Sequence, residues 1–290
     1  MENNKPKIAV VTCAYIPEGK IEHGTAIRSV QNPNHYEHYD EDKYETLMFT
    51  LACYKHYNAG MEYDVFVIDN SSPDKSIREI EEYCKGNKIT FEKRENIGFS
   101  FGAFRYAFEK YWKDYDYFLF HEQDFAPAKD GWLMEMIEFY NSEDNIGAIG
   151  NCVEGPRNKE MPTAYGSYQL YPEIGDFFFN LDQLALVKTD VLKKCIDKWG
   201  WRLIEWTPET EGQGSATINE LSFTLPIYLS GYKLKGFVNQ RTHICTHGVC
   251  VMDEQPWELE LPDERVAPMV LNHARVFHPR FKRLFNWYNE

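Results

Sequence analysis

The sequence predicts an α/β fold built on a mostly parallel sheet, and three observations carry that prediction. Short apolar runs of the buried-strand type, such as Ile8–Thr12 and Asp64–Asp69, recur along the first half of the chain. Segments with helical spacing separate them, which implies parallel strands joined by right-handed crossovers. At 290 residues, 43% hydrophobic and 16% aromatic, the chain can bury a core of that size.

The elements follow in order. Strand Ile8–Thr12 leads into a long polar insertion, residues 16–44, of the size that tends to be functional. A helix is expected over 42–57, a strand over 64–69, a helix over 76–85 and a strand over 88–94. An aromatic-rich helix over 101–112, a strand over 116–120, a helix over 132–140 and a strand over 145–150 continue the alternation. Residues 151–176, rich in Gly, Pro and Tyr, read as irregular loop. A strand over 177–187, a helix over 189–199 and a polar loop over 205–217 follow. A helix over 219–230 ends at Gly231, with Pro226 kinking or breaking it. Strands over 232–237 and 242–246 close the list. No repeat or low-complexity linker appears. The expected organisation is one domain over 1–250, with a nucleotide-binding part (1–150) and an acceptor part (151–250), followed by an extension over 251–290.

The formal net charge of −14 argues against broad nucleic-acid binding. No run approaches the roughly 18 apolar residues of a membrane span, and no signal-peptide core is visible. A cytoplasmic chain with reduced thiols among its seven cysteines is expected.

Ligands in parallel α/β sheets bind beyond the carboxyl ends of the strands. Four polar clusters stand there: Thr12, Cys13 and Tyr15; Asp69, Asn70 and Ser71; Asn96, Gly98, Phe99 and Gly102; and His121, Glu122, Gln123 and Asp124. Glu122 and Asp124 can turn two carboxylates toward one hard cation, Mg²⁺ or Mn²⁺, whose shell substrate phosphates would complete. An isolated pair of this kind is more often a solvated acidic turn; its position after an apolar strand favours the metal.

YDVFVIDNSS, ENIGFSFGAFRYA, YDYFLFHEQDF and NELSFTLPIYLSGYKLKG together resemble the successive landmarks of family-2 glycosyltransferases, over roughly residues 7–250. The resemblance implies the GT-A, Rossmann-like fold with a C-terminal extension. It also implies inverting transfer of a sugar from a nucleotide diphosphate (UDP, dTDP or GDP type) to a carbohydrate or lipid-linked acceptor hydroxyl, in surface polysaccharide or glycan assembly. By that resemblance Asp69, with Asn70, hydrogen-bonds the base; a structural turn is the competing reading. Asn96, Gly98 and Gly102 match the segment beside the donor. Arg105 either faces the diphosphate or sits in a salt bridge. Glu122 and Asp124 match the D-x-D metal motif, with Glu in place of the first Asp. Glu220 matches the acidic residue that acts as general base, although Thr217 and Ile218 replace the usual upstream acids. A Glu favoured at a helix N-terminus is the bland alternative. Asp182 is the second candidate base, and Glu209 and Glu211 are weaker ones. His247 matches a late metal or diphosphate ligand. His243, Cys245, His247 and Cys250 could instead hold zinc, at unfamiliar spacing.

Residues 266–289 carry no acid, and their Arg, Lys and aromatic residues suit a membrane-surface segment, a basic lip over a phosphate, or a docked terminal helix. Two other classes compete. A sugar nucleotidyltransferase should show a Gly-rich, Arg-containing loop after the first strand, where CAYIPEGK stands. A non-catalytic nucleotide-sugar-binding protein would suit the altered acceptor motif.

Overall fold

The computed structural model describes residues 5–17, 21–28, 36–41, 43–161, 164–181, 184–205, 213–238, 268–271 and 287. Its elements run β1 (Ile8–Ala14), β2 (Ile21–Arg28), β3 (Tyr36–Glu41), α1 (Lys43–His56), β4 (Asp64–Asp69), α2 (Asp74–Gly86), β5 (Thr90–Lys93) and α3 (Phe99–Tyr111). They continue with β6 (Tyr117–His121), β7 (Phe125–Pro127), α4 (Trp132–Tyr140), β8 (Ile146–Asn158) and α5 (Tyr165–Leu170). The last are β9 (Phe177–Leu181), β10 (Leu184–Lys188), α6 (Thr189–Trp199), α7 (Gln213–Ser222), α8 (Leu225–Leu229), β11 (Lys233–Val238) and β12 (Met269–Leu271).

The main sheet has the order β11-β8-β10-β6-β1-β4-β5, with β9 pairing β8 off this path. β1 pairs parallel with β4 and β6, β4 with β5, and β8 with β11; β10 runs antiparallel between β6 and β8. This is the mostly parallel α/β sheet flanked by helices that the sequence predicts.

Strand periodicity sorts the core into two layers. Ile8 and Val10 of β1, Val65 and Val67 of β4, and Leu119 of β6 face one side, against Leu47 and Leu51 of α1, Ile77 of α2 and Trp132 of α4. The alternate residues Ala9, Val11, Phe66, Ile68, Phe118 and Phe120 face the other side, against Phe104 and Phe108 of α3 and Leu192 of α6. All seven residues of β1 are buried, as a strand covered on both faces must be.

Five expectations change, one being that residues 151–176, read as irregular loop, hold the helix α5. β8 runs on to Asn158, through residues read as loop; a register shift against β9 between Glu154 and Arg157 absorbs Gly155 and Pro156. The apolar stretch 177–187 is two strands, because β9 pairs with β8 whereas β10 inserts beside β6. The helix read over 219–230 is α7 and α8, with Pro226 in the first turn of α8, where its missing N–H costs nothing. Within the 16–44 insertion, β2 and β3 pair as an antiparallel hairpin. The strand expected at 242–246 lies outside the described residues.

Candidate functional site

The parallel register places the carboxyl ends of β1, β4, β5 and β6 at one edge of the sheet, and side chains lace the four following turns together. The Ile16 N–H donates to Ser72 Oγ (2.8 Å), joining the turns after β1 and β4. The Tyr15 N–H donates to Gln123 Oε1 (3.2 Å), joining β1 to the turn after β6. Thr50 of α1 holds that same turn by donating to the Gln123 carbonyl (2.7 Å). Asn70 Nδ2 donates to the Phe99 carbonyl (3.1 Å), joining β4 to the start of α3.

Arg94 is the central tie. Its guanidinium donates to Asn70 Oδ1 (2.6 Å) and to the Ile97 carbonyl (2.7 Å), and its carbonyl accepts from Ser71 Oγ (2.8 Å). Gly98 caps α3 in the left-handed region at φ +74°. At Gly102 a Cβ would lie 2.0 Å from the Ile97 carbonyl oxygen, so the turn closes over that position only if it is glycine. The amide oxygen of Asn96 is buried with no hydrogen-bond partner among the described residues.

Several of the expected site residues also make contacts within the protein. Asp69 is fully buried and accepts from the N–H (3.1 Å) and hydroxyl of Ser72, so its carboxylate organises its own turn. Thr12 is fully buried within β1. Arg105 pairs with Glu109 (2.9 Å) and Glu205 (3.0 Å), the salt-bridged alternative. Tyr15, 38% exposed, is the open aromatic of this edge.

The turn after β6 carries Glu122, partly buried, and Asp124, 5% exposed. Burial, the Glu122 and Asp124 carboxylates push the Cys13 thiol far up, while a hydrogen bond from Ser100 and the Lys43 ammonium act in the opposite sense. Cys13, Ser100, Lys43 and the two carboxylates thus share one electrostatic neighbourhood. His121 stands behind the turn. Its Nδ1 lies 2.7 Å from the Glu122 carbonyl, which can only accept, so Nδ1 carries the proton and Nε2 accepts from the Tyr54 hydroxyl. Burial pulls the His121 pKa down to about 4, keeping the ring neutral.

Two carboxylates with no third His, Cys, Asp or Glu among the described residues do not make an all-protein metal cage. They do suit a hard cation that keeps waters and substrate phosphates in its shell. β12 pairs antiparallel with β7, setting Leu271 opposite Phe125, the residue after Asp124. The start of the basic C-terminal stretch therefore runs beside the carboxylate turn.

Glu220 lies in the last turn of α7 and is 9% exposed. It is not at a helix N-terminus, so the macrodipole disfavours rather than favours its charge. Its neighbour Asn219, fully buried, accepts from the Ile204 N–H (2.8 Å) and donates to the Ile204 carbonyl (3.0 Å), with a longer contact to the Gly98 carbonyl (3.5 Å). Asn219 thus fastens α7 to Ile204 and sets it beside the turn that opens α3. Sequence reading missed Asn219, Arg94, Lys43 and the pairing of Tyr54 with His121; Asn219, beside Glu220 in NELSF, and His121, beside Glu122 in YDYFLFHEQDF, stood in quoted motifs as polar residues next to a candidate. Asp182, Glu209, Glu211 and His247, with His243, Cys245 and Cys250, lie outside the described residues. Of the seven cysteines, Cys13, Cys53, Cys84 and Cys195 are buried free thiols. No described helix is long and apolar enough to cross a membrane.

A parallel α/β sheet with polar turns converging at its carboxyl edge defines the class of α/β proteins that bind ligands at that edge. Comparison with protein families is more specific: the profile described as glycosyl transferase family 2 matches residues 7–199, two thirds of the chain. The chain belongs to glycosyl transferase family 2. Among solved structures it resembles a mannosyltransferase, PcManGT from Pyrobaculum calidifontis, in complex with GDP-Man and Mn²⁺. That match has 14% identity and a TM-score of 0.45, covering 81% of this chain and 55% of that one. It also resembles a cytidylyltransferase from Leptospira borgpetersenii (12% identity, TM-score 0.42, 80% of this chain and 76% of that one). A third is residues 1–349 of TarS from S. aureus (12% identity, TM-score 0.39, 74% of this chain and 55% of that one). The chain spans about half the length of the first of these structures. No curated protein matches.

Proposed function

We propose that the chain is an inverting, metal-assisted glycosyltransferase that moves a sugar from a nucleotide diphosphate to an acceptor hydroxyl. The observation that carries this reading is the position of Glu220: a buried carboxylate at the unfavourable end of α7, beside Asn219, whose amide binds Ile204 and reaches the Gly98 carbonyl at 3.5 Å. A group that weakens its own helix is held there for another purpose.

In this reading the turn residues Tyr15, Asn70, Ser71, Asn96, Gly98 and Phe99 form the nucleotide-sugar cleft, and Arg94 and Gln123 hold its walls in register. Glu122 and Asp124 hold the divalent cation, Mn²⁺ or Mg²⁺, with His247 as the further ligand. When bound, that cation offsets charge on the leaving diphosphate. Glu220 takes the proton of the acceptor hydroxyl as its oxygen attacks the anomeric carbon opposite the leaving group, which inverts the configuration. Asp182 is the alternative base. The acceptor is a carbohydrate or lipid-linked glycan, met in the cytoplasm at the inner membrane face, where the aromatic, basic stretch 266–289 suits a lipid surface.

Thermal shift with UDP, dTDP, GDP and CMP, each with and without Mn²⁺, tests the reading. Stabilisation by one nucleoside diphosphate, larger with Mn²⁺, is expected. Absence of any shift at millimolar nucleotide would refute it.

A further inference from the structure

A groove of about 980 Å³ opens at the sheet edge opposite the carboxylate turn. Strand direction sets its place. Lys5 and Pro6 lead into β1, Asp116 and Tyr117 stand at the start of β6, and Lys188, paired with Tyr117, ends the antiparallel β10. This is the amino edge of the parallel strands, the end that the family-2 site does not use.

Five lysines line the groove, Lys5, Lys113, Lys188, Lys193 and Lys194, in a chain whose net charge is −14. Aromatic faces hold three of them in place. The Lys188 ammonium stands 5.6 Å from the Tyr117 ring centroid and 5.5 Å from that of Tyr140. Lys113 and Lys193 lie over Trp112 at 5.5 and 5.1 Å.

Three carboxylates share the groove, and each is already engaged. Asp116 Oδ2 accepts from the Lys7 N–H (2.8 Å), Asp190 Oδ1 from the Val191 N–H (2.8 Å), and Asp197 pairs with Lys193. Lys5, Lys113, Lys188 and Lys194 make no ion pair among the described residues. The five lysines outnumber the three aspartates, which leaves the groove a local charge of +2, and a multivalent anion relieves the mutual repulsion of the lysines. The volume is far larger than one carboxylate needs and lies in the range of small-ligand sites.

We infer that this groove is a second binding site, for a ligand carrying phosphate groups, distinct from the nucleotide-sugar cleft. The phosphate belongs either to a soluble compound or to an anionic lipid headgroup; both present the same chemistry to the lysines.

The test uses the full chain in EDTA at low salt, which removes the metal-dependent binding of the nucleotide-sugar cleft and leaves the groove variant to separate the two sites. Calorimetry with inorganic pyrophosphate reports the soluble source. Co-sedimentation with phosphatidylcholine vesicles, with and without phosphatidylglycerol, reports the lipid source. The comparison variant is Lys113→Glu with Lys194→Glu; both side chains are exposed, so the fold is expected to stand, and a circular-dichroism melt checks that it does. Wild type should bind pyrophosphate, the double variant at least tenfold more weakly, and added salt should weaken the wild type. Sedimentation by phosphatidylglycerol vesicles that the double variant loses would assign the phosphate to a headgroup; pyrophosphate binding without sedimentation would assign it to a soluble ligand. Binding to neither probe, or equal binding by a folded double variant, overturns the inference.

Discussion

The Tyr54 hydroxyl donates to Nε2 of His121 inside the core. That bond fixes the imidazole so that its other nitrogen supports the Glu122 carbonyl, and a residue of α1 thereby orients a turn that follows β6. Tyr54→Phe would leave Nε2 buried and unsatisfied. A loss of about 1–3 kcal/mol in urea unfolding is expected, the cost of one such orphaned group. Mn²⁺-dependent nucleotide stabilisation should weaken with it, since the carboxylate turn loses its brace.

Metal and base variants should separate cleanly. Asp124→Asn should remove the Mn²⁺-dependent part of nucleotide binding and leave the metal-independent part. Glu220→Gln should preserve nucleotide binding and lower turnover by roughly 10²–10⁴-fold, the usual contribution of a general base. Undiminished turnover in the Gln variant would reject Glu220 as base and turn attention to Asp182.

The two glycines of the turn that opens α3 should respond differently to alanine. At Gly102 the new methyl meets the Ile97 carbonyl at 2.0 Å, so a loss at or above the upper end of overpacking costs, about 3 kcal/mol, is expected. At Gly98 the nearest atom is 3.5 Å away and only the left-handed backbone resists, which predicts about 1–2 kcal/mol. Denaturant midpoints of the two variants give the order.

Glu92 predicts a feature of the acid limb. Burial alone would raise its pKa, but hydrogen bonds from Lys110, Tyr111 and Tyr106 outweigh it and hold the carboxyl below its ordinary 4.5. A depressed carboxyl contributes stability that is complete above the unfolded value and is lost as pH falls through the folded one. Glu92→Gln should therefore flatten the stability profile below about pH 4.5 and shift it little in slope near neutrality, as followed by denaturation at stepped pH.

The alternation of β4, α4 and α6 was readable to the residue, because each is bounded by turn formers and has one dominant period. β8 was not, since Gly155 and Pro156 look like a stop until a partner strand accommodates them with a shifted register. The split between β9 and β10 has no local signal either; it follows from which neighbour each half finds. At the site the same division holds. Strand-end position pointed to Asp124, Gly98 and Gly102 directly. Arg94 and the Tyr54–His121 pair act across 24 and 67 residues of sequence, a distance that local patterning does not span.

The pairing of β12 with β7 has a consequence for biosynthesis. Chains emerge from the ribosome amino end first, and domains fold as their partners become available. The sheet strands that build the carboxylate edge are complete long before Met269–Leu271 exists, so the flank of that edge at Phe125–Pro127 waits, unpaired, for the last part of the chain. A nascent chain halted before β12 should fold its sheet yet present an open strand edge beside Asp124, a state that binds neighbours rather than substrate.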